Sequence, residues 1–277
     1  SRLDFPRQKC YTISINPQGE IMTHTVVIAF ANQKGGVGKT TSAVNVAASV
    51  AQLGKKTLLI DADPQGNASS GVGISRKNLK KSLYGVLSGD YPATDAIVET
   101  EYKNLSVLPT TIDLAGAEFD LITRDRHFAA MKDAIDPLKG LYDVIIIDCP
   151  PSLGMLTVNA LSAADGIVIP MQCEYYSLEG LSQLMMTVRR VKNQFNPSLG
   201  IMGILITMYD GRLNLSAQVL AELKKYYADK LFRTMIPRNV KLSEAPSFGA
   251  PVYYHDKYSR GSLAYVDVAK ELLDRIF

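Results

Sequence analysis

Short apolar runs rich in β-branched residues alternate along this chain with longer stretches whose apolar positions recur every three to four residues. The short runs fall at residues 26–31, 57–60, 105–108, 144–147, 166–169, 201–207 and 231–236. Helical spacing is clearest over residues 40–53, 178–195 and 215–227. A strand that is apolar at successive positions is buried on both faces, which requires a parallel sheet covered by helices. The alternation therefore predicts an α/β fold with a doubly wound, mostly parallel sheet flanked by helices. No linker-like stretch or internal repeat interrupts it, so residues 22–277 are expected to form a single domain. Residues 1–21 are polar, contain Pro6, Pro17 and Gly19, and keep no sustained period. They read either as a loosely attached arm or as a tag remnant or upstream extension; a dispensable arm is the expectation.

Composition narrows the class. The 277 residues are 47% hydrophobic and 21% charged, which suits a sizeable core and excludes collagen, a coiled coil, a disulfide scaffold and a disordered chain. Three scattered cysteines, Cys10, Cys149 and Cys173, form no CxxC pair. That pattern fits reduced thiols in a cytoplasmic protein and offers no zinc site. No apolar run approaches the roughly 18 residues of a membrane span, and the first residues lack a secretory apolar region.

Directly after the first predicted strand stands Lys34-Gly35-Gly36-Val37-Gly38-Lys39-Thr40-Thr41, opening a helix. This departs from the general phosphate-loop pattern GxxxxGK[ST]: its glycines are packed closer, and an extra lysine, Lys34, precedes them. The physics of the loop is retained. Glycines let backbone N–H groups face a phosphate, and the helix N-terminus adds a favourable field. Lys39 would reach the β- and γ-phosphates of a nucleotide, and the Thr40 hydroxyl would hold Mg²⁺. A glycine-rich turn that merely joins strand to helix is the plain alternative, and the strand–loop–helix context argues against it.

Three carboxylates stand at predicted strand ends. Asp61 and Asp63 follow the second strand in Asp61-Ala62-Asp63-Pro64-Gln65-Gly66, and Asp148 follows the fourth, running into Cys149-Pro150-Pro151. In a parallel sheet the C-terminal strand ends line the ligand crevice, so all three are expected beside the phosphate loop. Any one of them could instead cap a turn.

These segments together resemble the deviant Walker A ATPases, the ParA/MinD group. Ala31-Asn32-Gln33-Lys34 through Thr41, and Asp63-Pro64-Gln65-Gly66-Asn67-Ala68, are similar to the Soj-type ParA branch that partitions chromosomes or plasmids. So are Gln172-Cys173-Glu174-Tyr175-Tyr176, Leu178-Glu179-Gly180-Leu181, Ile236-Pro237-Arg238-Asn239-Val240 and Leu242-Ser243-Glu244-Ala245-Pro246. The resemblance implies a slow, partner-stimulated, Mg²⁺-dependent ATPase that forms a homodimer around ATP. It implies that Lys34 reaches the nucleotide of the partner subunit, that Lys39 is the phosphate-loop lysine, and that Thr40 is the Mg²⁺ ligand. Asp63 would position the attacking water, while Asp61 and Asp148 would act on the metal through water. Gly35 would lie where two backbones meet, and Gly36, Val37, Gly38, Thr41, Pro237 and Asn239 would complete the nucleotide site. A centromere-binding ParB-type protein is the implied partner, and the basic residues Arg2, Arg7 and Lys9 are one loose candidate for its docking surface.

The total charge of +3 conceals an uneven distribution. Residues 189–241 carry ten basic and three acidic side chains, a net +7, which leaves the remainder at −4. Clustered basic side chains would neutralise DNA phosphates without reading bases. Solvated helix faces explain the same charges equally well. The resemblance favours nonspecific DNA binding in the ATP state and a nucleoid location, with Arg212 and Arg238 as first candidates and Lys241 and Arg189 after them.

Three alternatives carry less. A MinD-like positioning ATPase would hold the membrane through a basic amphipathic helix, but the polar side of the last helix sums to −1, so no stable membrane association is expected. An iron–sulfur cluster bridged by Cys149 or Cys173 lacks a second local ligand. Tyr253, Tyr254, Tyr258 and Tyr265 are expected to fill core and surface gaps rather than form a tyrosine-rich tail.

Overall fold

Burial on both faces drives the apolar runs side by side, and in the computed structural model they form a seven-stranded sheet. The structure describes residues 14–15, 21–22, 24–123 and 126–277. The arm expected over residues 1–21, with Arg2, Arg7, Lys9 and Cys10, lies outside the described residues apart from β1 (Ser14–Ile15) and β2 (Ile21–Met22), a short antiparallel pair. The sheet strands are β3 (Val26–Phe30), β4 (Thr57–Asp61), β5 (Val98–Glu99), β6 (Leu105–Leu108), β7 (Val144–Asp148), β8 (Gly166–Gln172) and β9 (Gly200–Thr207). Their order is β5-β6-β4-β7-β3-β8-β9, parallel throughout except for the edge strand β5.

Eleven helices occur among the described residues. They are α1 (Lys39–Gln52), α2 (Asn67–Gly71), α3 (Leu83–Ser88), α4 (Leu114–Ile122), α5 (Ala130–Ile135) and α6 (Met155–Ala163). After these come α7 (Ser177–Gln194), α8 (Asn214–Tyr227), α9 (Val240–Glu244), α10 (Val252–His255) and α11 (Arg260–Ile276).

The two-residue period of a strand sends alternate side chains of β3 into two separate cores. Val27 and Ala29 pack with Leu156 and Leu161 of α6, Leu184 and Val188 of α7, and Val219 and Leu223 of α8. Val26, Ile28 and Phe30 pack on the opposite face with Val46, Ala47 and Val50 of α1 and Val268 and Leu272 of α11. The mostly parallel, doubly wound sheet is thus the predicted one.

The tail helix is part of this second layer. Tyr265, Val268, Ala269, Leu272 and Ile276 of α11 are buried, and the Tyr265 hydroxyl lies 3.0 Å from the Ser42 hydroxyl of α1. Its apolar face is therefore occupied by the protein itself rather than offered to a membrane. Among the described residues no helix is long and apolar enough to cross one.

One predicted strand is corrected. Residues 231–236 are not a strand: they run beside β9 and form no continuous ladder with it, only isolated bridges of Ile204 with Leu231 and, just beyond, Tyr209 with Pro237. The Phe232 and Ile236 N–H groups still donate to the Ile204 and Ile206 carbonyls of β9, at 3.0 and 2.9 Å, but other backbone groups of the stretch are engaged by side chains of α11. Arg275 donates to the carbonyls of Leu231 at 2.7 Å and Met202 at 2.6 Å, while Glu271 accepts from the N–H groups of Arg233 at 3.0 Å and Thr234 at 3.4 Å. Arg275 and Glu271 also pair with each other at 2.7 Å, and the guanidinium lies over the Phe232 ring at 4.2 Å. Gly203 makes room for this group, since a Cβ there would run into Phe232 and Arg275.

Arg275→Met should therefore lower unfolding free energy by about 2–4 kcal/mol, because it strands backbone carbonyls and the Glu271 carboxylate together. Urea denaturation checks this; a change below about 0.5 kcal/mol would show that water replaces the guanidinium at no cost.

Candidate active site

The loop between β3 and α1 is shaped by its glycines. Gly36 at φ 72° and Gly38 at φ 79° adopt left-handed backbone that a side chain would strain, and Gly38 is the N-cap of α1. No side chain caps α1, and its first turn contains no acidic residue. The first N–H groups of the helix are thus left for an anion. A Cβ added at Gly35 or Gly36 would meet nothing within 4 Å, so the space before the loop is open.

The loop is braced from the β8–β9 side. The Thr207 hydroxyl donates to the Val37 carbonyl at 2.7 Å, and the Gln172 amide donates to the Gly36 carbonyl at 3.1 Å. Asn32, 5% exposed, donates to the Pro170 carbonyl at 2.8 Å and accepts the Lys34 N–H at 3.0 Å. Lys39 is buried at the helix start, whereas the Lys34 ammonium sits at the loop crest and pairs with the Glu174 carboxylate.

Parallel register sets the acids. Asp61 and Asp148 are direct partners across β4 and β7, and Phe30, the last residue before the loop, is the β3 partner of Asp148. Both carboxyl groups are completely buried, but their surroundings differ. Asp61 accepts from the Ser69 N–H at 2.7 Å and the Ser69 hydroxyl at 2.6 Å. Burial nevertheless pushes its pKa up to about 6, against the downward pull of those hydrogen bonds. Asp148 has no hydrogen-bond partner on either oxygen. Burial, then the neighbouring Asp61, hold it well above the ordinary carboxylate range. The Thr40 hydroxyl and the Lys39 charge favour its ionised form, the hydroxyl from nearby rather than through a bond of normal geometry. Asp63, at the mouth, accepts the Gln65 N–H at 2.9 Å.

A buried carboxyl without a partner carries a desolvation cost that a bound cation would remove. Asp148 beside Thr40 and an open helix N-terminus fits a hydrated Mg²⁺ on a polyphosphate, a cation that takes few protein ligands. Ser69 occupies Oδ2 of Asp61, while its Oδ1 accepts, among the described residues, only the Asp63 N–H at 3.4 Å. Beside Gly38 and Thr41 opens a cavity of about 430 Å³, with Tyr265 and Leu242 in its wall and Pro237, Arg238 and Asn239 also lining it. The Asn239 side-chain oxygen accepts the Lys241 N–H at 3.0 Å and so caps α9. The sequence-predicted loop, acids, Pro237 and Asn239 thus gather at one edge of the sheet. Ser69, Thr207 and Glu174 were not singled out for a role there. Position at the C-terminal end of β9 could have flagged Thr207, whereas nothing local marks Ser69.

The basic candidates do not all gather. The Tyr209–Pro237 bridge brings the turn holding Arg212 beside Arg238. Arg212 clamps Asp210 through two hydrogen bonds of 2.9 and 2.7 Å, and this, with a smaller contribution from Arg238, holds the Asp210 carboxyl at about 2. Lys241 follows on α9, 2.8 Å from Glu244. Arg189 stands apart: it is exposed on α7, twelve residues after Ser177, or about 18 Å back along the helix from the C-terminal strand ends. Cys149 and Cys173 are buried, and burial raises both thiols, Cys173 to about 11.

Comparison with known proteins agrees with this architecture. A family model described as an AAA domain matches residues 25–201. The chain is 54% identical to the sporulation initiation inhibitor protein Soj of Bacillus subtilis, over 89% of this chain and 97% of Soj. It is 50% identical to the chromosome partitioning protein ParA of Myxococcus xanthus, over 90% and 88% of the two chains. A solved structure of cobyrinic acid a,c-diamide synthase from Mycobacterium smegmatis with bound ADP and magnesium is 38% identical. It superposes with a TM-score of 0.80 over 90% of this chain and 94% of that one. With its phosphate loop, its strand-end acids and relatives at this level of identity, the chain belongs to the Soj/ParA family of chromosome-partitioning P-loop ATPases.

Proposed function

We propose that this ATPase dimerises around Mg²⁺-ATP, binds DNA nonspecifically in that state, and is reset by hydrolysis that a centromere-binding ParB-type partner stimulates. The observation that carries the reading is the pairing of a half-exposed lysine, Lys34, with open space. Lys34 stands in front of Gly35, whose missing side chain faces no atom of its own chain within 4 Å. A second copy can approach there backbone to backbone.

The chemistry is positioning and charge neutralisation. Lys39 and the α1 N-terminus hold the phosphates. Thr40 and Asp148 would hold Mg²⁺, with Asp61 acting from behind, and the ion would neutralise charge on the γ-phosphoryl group. Asp63 orients the attacking water. Lys34 serves the nucleotide of the partner subunit, so turnover waits for assembly and the enzyme acts as a slow timer. The cavity beside Gly38, lined by Pro237 and Asn239, receives the base. Residues 22–277 are the working unit, with residues 1–21 dispensable, and the protein associates with the nucleoid. Arg212, Arg238 and Lys241, on adjacent segments, form the DNA-facing group; Arg189 would act from a separate face.

Lys34→Ala and Lys39→Ala should both abolish ATP-driven dimerisation in size-exclusion chromatography; an ATP dimer of Lys39→Ala would refute the role given to that lysine. Asp63→Ala should still dimerise while hydrolysis falls by about 10²-fold or more, read as phosphate release at saturating ATP. Arg212→Glu should lose DNA co-sedimentation with ATP while keeping the dimer, and wild-type binding should weaken steeply with salt. DNA binding that ignores nucleotide, or liposome binding in its place, would overturn the DNA assignment.

A further inference from the structure

The lysine assigned to the partner's nucleotide is already engaged within its own chain. The Lys34 ammonium pairs with the Glu174 carboxylate, both side chains being partly exposed, at 35% and 46%. Glu174 lies in the short connection from β8 to α7, the same segment that supports the phosphate loop through Pro170 and Gln172. Its backbone is fixed: its N–H donates to the Gln172 carbonyl at 3.0 Å, and its carbonyl accepts the Ser177 N–H at 3.0 Å. Only the side chain is left to move.

We infer that Glu174 is a positioning residue that holds Lys34 in its own subunit and thereby sets the threshold for ATP-driven dimerisation. The inference rests on the dimer reading above and specifies how that site is held before assembly. A carboxylate beside Lys34 would face the partner's polyphosphate in the dimer, where like charges repel. Lys34 must therefore exchange one anion for another, and the anion it leaves behind must turn away. Each dimer breaks two such pairs. A partly exposed ion pair is worth up to about a fivefold shift in an equilibrium, so the pairs together move the threshold by about two- to twentyfold.

The test uses the full chain. In the absence of nucleotide, Lys34 in Glu174→Gln should be acetylated by a small amine-reactive ester at least about twice as fast as in wild type, read by mass spectrometry. With Mg²⁺-ATP, sedimentation should show Glu174→Gln half-dimerised at a lower protein concentration, at an unchanged melting temperature. Glu179→Gln removes the same charge from the exposed first turn of α7 and should leave the threshold where it was. Unchanged Lys34 acetylation in Glu174→Gln overturns the inference, as does an equal or higher dimerisation threshold, or an equal shift in Glu179→Gln. A wild-type chain that stays monomeric in Mg²⁺-ATP overturns the functional reading as well, which separates the two failures.

Discussion

Parallel pairing of β4, β7 and β3 in one register places Asp61, Asp148 and Phe30 in a row at the C-terminal edge of the sheet. The loop that must wrap a phosphate begins one residue beyond that row. Two acids and a helix N-terminus are thereby held together without any long side chain having to reach. The arrangement buries two carboxyl groups side by side, and neither oxygen of Asp148 has a hydrogen-bond partner among the described residues. A sheet that tolerates such a group relies on the burial of its strands on both faces to outweigh it.

The same edge shows how rigidity is distributed. The phosphate loop is tied by Thr207, Gln172 and Asn32 to the β8–β9 half, and the acids belong to the β4–β7 half. A ligand spanning loop and acids therefore touches both halves at once. Charges outside this frame are held by short exposed pairs such as Lys241 with Glu244, which are cheap to exchange for another anion. Stable contacts shape the loop and the acids, and exchangeable ion pairs lie outside that frame.

Much of this was legible from local pattern. Burial on two faces writes itself into β3, β4, β7 and β8 as unbroken apolar runs, and the phosphate loop is a contiguous segment whose glycines carry their own conformational requirement. The main failures lie where the fold brings distant side chains together. Residues 231–236 have the composition of a strand, but Arg275 and Glu271, some forty positions later, claim the Leu231 carbonyl and the Arg233 and Thr234 N–H groups. Ser69 on Asp61 and Glu174 on Lys34 are likewise choices between side chains that only the fold brings together. The two-residue edge strand β5 is too short for any period to register. The charge count over residues 189–241 found a basic region but could not separate Arg189 on α7 from the Arg212–Arg238 corner.

The Ser42–Tyr265 contact joins residues 223 positions apart in the chain. During synthesis α1 leaves the ribosome long before the helix that covers it, by on the order of ten to forty seconds at ordinary elongation rates. Through that interval the face of α1 built from Val46, Ala47 and Val50 has no α11 to pack on, and the cavity beside Gly38 lacks its Tyr265 wall. A nascent chain can thus present the phosphate loop well before it can enclose a nucleotide. The layer over α1 cannot be completed before Arg260–Ile276 has been synthesised.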